Sequence, residues 1–170
     1  MPPSEATLIR LHAEHATGVF RFAWSVTKDE SLAQEVVQDL FLKLARDGSL
    51  IADAQSERAV IFTLTRNLAL DALRRHARQV KAMQRLADEL PEWFLPASHG
   101  NVDESRLITS TLAELPEEQR SVIHLHVWEE LSFREIGELL GAPTQTIASR
   151  YRYGLEKLRS ALLKLEPSLA

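Results

Sequence analysis

The chain has 170 residues, 45% of them hydrophobic and 26% charged, with a formal net charge of −4, which is room for one domain or two small ones with real cores. It contains no cysteine, which excludes disulfides and cysteine-ligated zinc and fits a reducing compartment. Its N-terminus, MPPSEATLIRLHAEH, lacks the charged-then-apolar pattern of a signal peptide, and no apolar run approaches a membrane span, so a soluble cytoplasmic protein with no membrane insertion is expected.

Residues 5–27 read as a helix with Leu8, Leu11, Val19, Phe22 and Val26 on its inward side, ended by Thr27-Lys28-Asp29. Residues 31–46 form the cleanest amphipathic pattern: Ala33, Val36, Val37, Leu40, Phe41 and Leu44 recur at helical spacing. Residues 47–56 read as a loop. A long helix is predicted from about Glu57 to Leu86, with Ile61, Leu64, Leu68 and Ala72 toward a core and a polar, basic second half that must be exposed or bound. Residues 87–102 are acidic, contain Pro91, Pro96 and Gly100, and read as a flexible linker between two units, 1–86 and 103–170. The apolar patch Trp93-Phe94-Leu95 inside it is expected to pack on its own chain or on a partner. Beyond it, a helix ends near Leu115 before Pro116, and another runs from about Glu117 to Glu130 with apolar residues on more than one side. No stretch alternates with period two at strand length, so the predicted fold is all-α, two small helical units.

Residues 131–159 have helix-turn-helix spacing. Ser132 and Glu135 make a capping box, Phe133, Ile136, Leu139 and Leu140 face inward, and Gly141 sits where a helix end wants a left-handed residue. Thr144 can cap the second helix, whose buried side is marked by Ile147, Tyr151, Leu155, Leu158 and Leu162. Thr144, Gln145, Thr146, Ser149, Arg150 and Arg152 are left for the outer face, a set of hydroxyls, amides and guanidinia that suits base edges and phosphates in the major groove. The competing structural reading is a helical hairpin with a solvated basic face. Charge distribution favours DNA. Residues 66–85 carry Arg66, Arg74, Arg75, Arg78, Lys81 and Arg85 against Asp71, residues 144–164 are basic again, and the segment between them is strongly acidic.

No set of histidines has metal-ligand spacing. His124 and His126, two apart on a helix, point to different sides, and His12 and His15 read as a solvated or packed pair. No phosphate-binding glycine loop or nucleophile motif is present, so neither an enzyme nor a cofactor or metal site is expected.

Four pieces in this order resemble the extracytoplasmic-function (ECF) sigma factors of bacteria: DESLAQEVVQDLFLKLA at 29–45, TRNLALDALRR at 65–75, LAELPEEQRSVIHLHVWEELSFREIGELLG at 112–141 and TIASRYRYGLEKLR at 146–159. The resemblance implies a polymerase-binding face on the second helix, with Gln34, Glu35, Gln38 and Asp39 meeting the β′ clamp helices of core RNA polymerase. It implies that the segment bearing Arg66, Asn67, Asp71, Arg74, Arg75 and Arg78 reads and helps open the minus-ten promoter element, and that the helix-turn-helix reads the minus-thirty-five element beside the β flap. It also implies an anti-sigma factor. Asn67 and Asp71 lie four apart on one face, so a purely structural hydrogen bond between them is a rival reading. Val60 stands where relatives often carry Trp, and Ala148 where they carry Lys, which removes one expected phosphate or base contact. Tyr151 and Tyr153 replace commoner residues and are read either as packing or as phosphate-donating groups. The alternative function is a stand-alone helix-turn-helix regulator, which would have no need of the first half of the chain.

Overall fold

Local hydrogen bonds set where each helix starts and stops. In a computed structural model of the chain, which describes residues 3–52, 54–87 and 111–163, Ser4 opens α1 (Glu5–Thr27) by accepting the Thr7 backbone N–H at 3.2 Å. Lys28 closes it in the left-handed region, φ 56°, with its N–H on the Trp24 carbonyl. Asp29 caps α2 (Glu30–Arg46) by accepting Leu32 N at 2.8 Å. The predicted loop after it contains one helical turn, α3 (Ser49–Ala52). Asp47 nucleates that turn by accepting both the N–H and the hydroxyl of Ser49, bonds that also hold its carboxyl below the usual range. The long helix α4 runs Glu57–Ala87.

Residues 111–114 are helical and stop before Pro116. Helix α5 spans Glu117–Val127, three residues shorter than the sequence pattern implied, because the chain turns at Trp128 and Glu130 takes φ 55°. Helix α6 (Phe133–Leu140) has the full capping box of Ser132 and Glu135 and ends on Gly141 at φ 64°. Helix α7 covers Thr144–Leu163. The Pro143 carbonyl accepts the Ile147 N–H at 3.1 Å, so Thr144 is the first helical residue and not the cap. Among the described residues there is no strand, and no helix is long and apolar enough to cross a membrane.

Helices α1, α2 and α4 form one bundle. Its interior holds Leu11, Val19, Phe22, Ala33, Val36, Leu40, Leu44, Ile61 and Phe62, with Phe22 and Phe62 edge-on at 5.6 Å. Val37, Phe41, Leu64 and Leu68, expected inside, are partly buried at its margin. Helices α5, α6 and α7 form the second bundle around Val122, Leu125, Ile136 and Ile147. On α7 the expected buried side needs correction: Leu155 is 40% exposed, and Gly154 takes the inward position instead. A Cβ at Gly154 would lie 2.7 Å from Ile123 Cδ1, so the missing side chain sets how closely α7 approaches α5. The bundles are not independent of one another. Helix α1 packs on α5 and α4 on α6, and buried residues of both belong to one continuous cluster. The predicted linker at 87–102, apart from Ala87, which ends α4, its Trp93-Phe94-Leu95 patch and the side chain of Leu162 lie outside the described residues.

Candidate nucleic-acid interface

The exposed half of α4 is built by what it lacks. After Leu73, none of the positions from 74 to 82 is buried, and all are solvent-facing. A helix with no packed face there must be held by continuity with its buried first half. Arg74 and Arg78 project from it, Arg74 paired with Asp71 at 2.9 Å and Arg78 Nε donating to the Arg74 carbonyl at 3.2 Å. Asn67 is exposed on the same helix. Asp71 Oδ1 thus accepts from Arg74, so the rival reading of an Asn67–Asp71 bond is not what orders this face.

Arg75 points the other way, to α2. Its Nη2 lies 3.0 Å from Glu35 Oε1 and 3.4 Å from Asp39 Oδ2, with all three side chains about one-third to one-half exposed. Screened pairs of this kind contribute about 0–1 kcal/mol each. Their effect is positional: a residue assigned to DNA is tied to two residues assigned to polymerase. Gln34 and Gln38 are exposed beside them on the outer face of α2.

On α7, Thr144 and Gln145 are exposed, and Thr146 and Ser149 half-buried, with Ser149 Oγ donating to the Gln145 carbonyl at 3.0 Å. Arg152 is exposed and lies over the Tyr153 ring at 5.1 Å. Tyr151 is a packing residue, against His126 at 4.9 Å and Phe133 at 5.4 Å. Tyr153 is half exposed. Arg150 does not face out freely. It pairs with Glu118 of α5 at 2.8 Å and is 24% exposed. Arg66 of α4, also expected to face DNA, lines the same polar pocket of about 270 Å³, and its Nε is buried there with no hydrogen-bond partner.

The histidines point as expected. His124 turns to Phe22 and Trp128, and His126 to Phe133 and Tyr151, with Nδ1 2.8 Å from the Leu131 carbonyl oxygen. His12 stacks on Phe41. His15 is buried and joins Glu14 and Glu57 in a cluster of metal-ligating groups. Arg10 occupies the space between the two carboxylates, bonding Glu14 at 2.8 Å and Glu57 through both terminal nitrogens. That fork, against the opposing effect of burial, holds the Glu57 carboxyl below its usual range. The cluster is therefore an ion-paired tie between α1 and α4. Helical spacing gave no sign of it, because Glu57 is distant in sequence.

Comparison with known proteins matches this arrangement. The family model for sigma-70 region 2 matches residues 11–79, and the model for sigma-70 region 4 matches residues 111–160. The chain is 33% identical over 165 residues to ECF RNA polymerase sigma factor SigL of Mycobacterium tuberculosis, covering 95% of this chain and 93% of SigL. The structure of CnrH in complex with the cytosolic domain of CnrY overlays at a TM-score of 0.64 with 25% identity, covering 95% of this chain and 90% of that one. Bartonella quintana RpoE, in a co-crystal with the anti-sigma factor NepR, shares the fold at a TM-score of 0.70 with 22% identity, over 90% of this chain and 94% of that one. A stand-alone helix-turn-helix regulator has no counterpart to region 2, so the match over 11–79 sets that alternative aside. A region 2 bundle and a region 4 helix-turn-helix in one short chain, with near full-length similarity to SigL, lead to one conclusion: the chain belongs to the ECF sigma factors, which bind RNA polymerase and direct promoter-specific initiation of transcription.

Proposed function

We propose that the outer face of α2, with Gln34, Glu35, Gln38 and Asp39, binds the clamp helices of the polymerase β′ subunit, and that Arg75 presets Glu35 and Asp39 for that contact. The exposed, unpacked half of α4 carries the minus-ten reading. Arg66, Asn67, Asp71, Arg74 and Arg78 lie on it or at its root, and a helix surface with no apolar face is suited to a polyanion. The second bundle sits at the β flap and reads the minus-thirty-five element through Thr144, Gln145, Thr146, Ser149, Arg150 and Arg152. Ala148 leaves one side of that contact without a cation, which favours an element read through the N-terminal turn of α7. The working unit is divided at 1–86 and 103–170 by a linker at 87–102. The protein acts in the cytoplasm as a binding subunit and performs no catalytic step. An anti-sigma factor is its natural inhibitor, a reading supported by the co-crystal of Bartonella quintana RpoE with an anti-sigma factor.

The observation that carries this reading is the solvent-exposed basic half of α4 beside the acidic face of α2. The test is affinity for core polymerase of the double variant Glu35→Lys/Asp39→Lys. Binding should weaken by about tenfold or more, since like charge across a contact costs over 1 kcal/mol. Circular dichroism should be unchanged, because the lost pairs with Arg75 are exposed ones. Undiminished affinity for core would remove α2 from the contact.

A further inference from the structure

Three cations stand around one apolar cavity that has no carboxylate among its lining residues. The cavity, about 510 Å³, lies between α1 and the second bundle. Arg21, Trp24, Lys28 and Trp128 are exposed and form its rim, while Ser25, Arg120 and His124 are buried and form its floor. Leu112 and Ala113, both half-buried, close one side. The volume falls within the roughly 300–1,000 Å³ of small-molecule sites.

The positive charge is not paired. Among the described residues Arg21 has no hydrogen-bond or ion-pair partner. Lys28 Nζ donates to the Ala113 carbonyl at 2.9 Å, and Arg120 donates to the Ser25 and Leu115 carbonyls at 2.7 Å each. Carbonyl oxygens solvate a cation without cancelling its charge. Burial accordingly pushes the Arg120 guanidinium pKa down, and Glu117 offsets that effect only in part. An anion inside the cavity relieves all three cations at once, and its attraction to them is stronger there than in open water.

The floor offers a ligand ring faces rather than free hydrogen bonds. Ser25 Oγ already donates to the Phe22 carbonyl at 2.7 Å, and the Ser25 carbonyl is taken by Arg120. The His124 ring lies 5.5 Å from Phe22 and 5.4 Å from Trp128. Glu129, 3.4 Å from His124 Nε2, does not line the cavity. Aromatic faces below and unpaired cations above suit a flat ring system that carries a carboxylate.

We propose that this cavity is a binding site for a small aromatic carboxylate, with its rings against the Trp24 and Trp128 indoles and its carboxylate at the rim beside Arg21 and Lys28. None of the residues assigned to polymerase or DNA lines it, so the site is separate from both faces. Since α1 supplies one wall and the second bundle the other, bound ligand stabilises the free chain.

Naphthoate is the probe, titrated into the free full-length protein while the indole N–H resonances are followed by NMR. The chain has three tryptophans, and Trp93→Phe identifies the one that does not line the cavity. The Trp24 and Trp128 resonances should move together and saturate. Arg21→Glu, at an exposed site with no partner to lose, should weaken binding about tenfold or more. Ala113→Phe, which fills the cavity from its half-buried side, should abolish binding. The neutral isostere naphthalenemethanol should bind about tenfold more weakly than naphthoate, and decanoate, which has no ring to stack, should also bind more weakly. Unchanged circular dichroism certifies the fold of each variant, and if Ala113→Phe fails that check, Arg21→Glu decides. Resonances that do not saturate overturn the site. Equal affinity of wild type and Arg21→Glu, or of naphthoate and its neutral isostere, overturns the role of the cations. Tighter binding of decanoate overturns the aromatic class. Binding that appears only after Trp93→Ala/Phe94→Ala/Leu95→Ala would assign the cavity to the chain's own acidic segment and overturn the proposal.

Discussion

Removing the Ser132 hydroxyl should weaken the helix-turn-helix out of proportion to its exposure. Helix α6 has only 8 residues, too short to persist on intrinsic propensity, so its first turn depends on the cap. Ser132 Oγ accepts the Glu135 N–H at 3.2 Å, and Glu135 Oε2 accepts the Ser132 N–H at 2.9 Å and its hydroxyl at 2.7 Å. Ser132→Ala deletes the first and third of these, for a cost of about 1 kcal/mol, within the range of about 0.5–2 for lost serine caps. For the 170-residue chain melting as one unit, that lowers the melting temperature by about 2–4 °C. The Ser132 backbone N–H, and then its hydroxyl, hold the Glu135 carboxyl below the ordinary value of 4.5. A depressed folded pKa adds stability that is present above the unfolded value and lost as pH falls through the folded one. The difference between wild type and Ser132→Ala should therefore be full at neutral pH and shrink once pH drops below that ordinary value. Urea unfolding followed by circular dichroism at several pH values measures both effects. A cost under about 0.3 kcal/mol at neutral pH, or a difference that grows toward acid, would refute the capping argument.

Gly154→Leu should destabilise the second bundle by about 1–3 kcal/mol through overpacking against Ile123, and should tilt α7 enough to weaken minus-thirty-five binding; thermal melts and duplex titrations read the two effects. In the holoenzyme, Arg150→Ala should cost about 1–3 kcal/mol of promoter affinity, confined to one base position, if the guanidinium makes a bidentate base contact. A uniform loss across sequences would make it a phosphate contact. Arg74→Ala and Arg78→Ala should each reduce the salt dependence of promoter binding by about one unit of slope, measured by titration at several ionic strengths.

Much of the fold could be read from the sequence because its helices are punctuated by side chains. Asp29, the Ser132–Glu135 box and Gly141 mark boundaries through local hydrogen bonds, and local bonds depend on nearby residues alone. The turn at 49–52 escaped notice since it depends on one Asp–Ser contact rather than on periodicity. Leu155 was misassigned because an apolar stripe says which residues could be inside, whereas Gly154 shows that close approach of α5 decided the matter. Most of the outward residues of α2, α4 and α7 are exposed, as helical periodicity implies. The positions of Arg66 and Arg150 are not legible in the sequence: Arg150 pairs with Glu118 on another helix, Arg66 lines the same pocket from the other bundle, and no spacing rule carries that information.

As an ECF sigma factor, this chain gives RNA polymerase its choice of promoter. Core polymerase reconstituted with the purified protein, presented with a library of genomic fragments and sequenced at the transcript starts, tests it most directly. Initiation is expected from a restricted set of sites sharing two elements at fixed spacing, absent without the protein and lost when the α7 face is substituted. Initiation indistinguishable from that of core alone would contradict it.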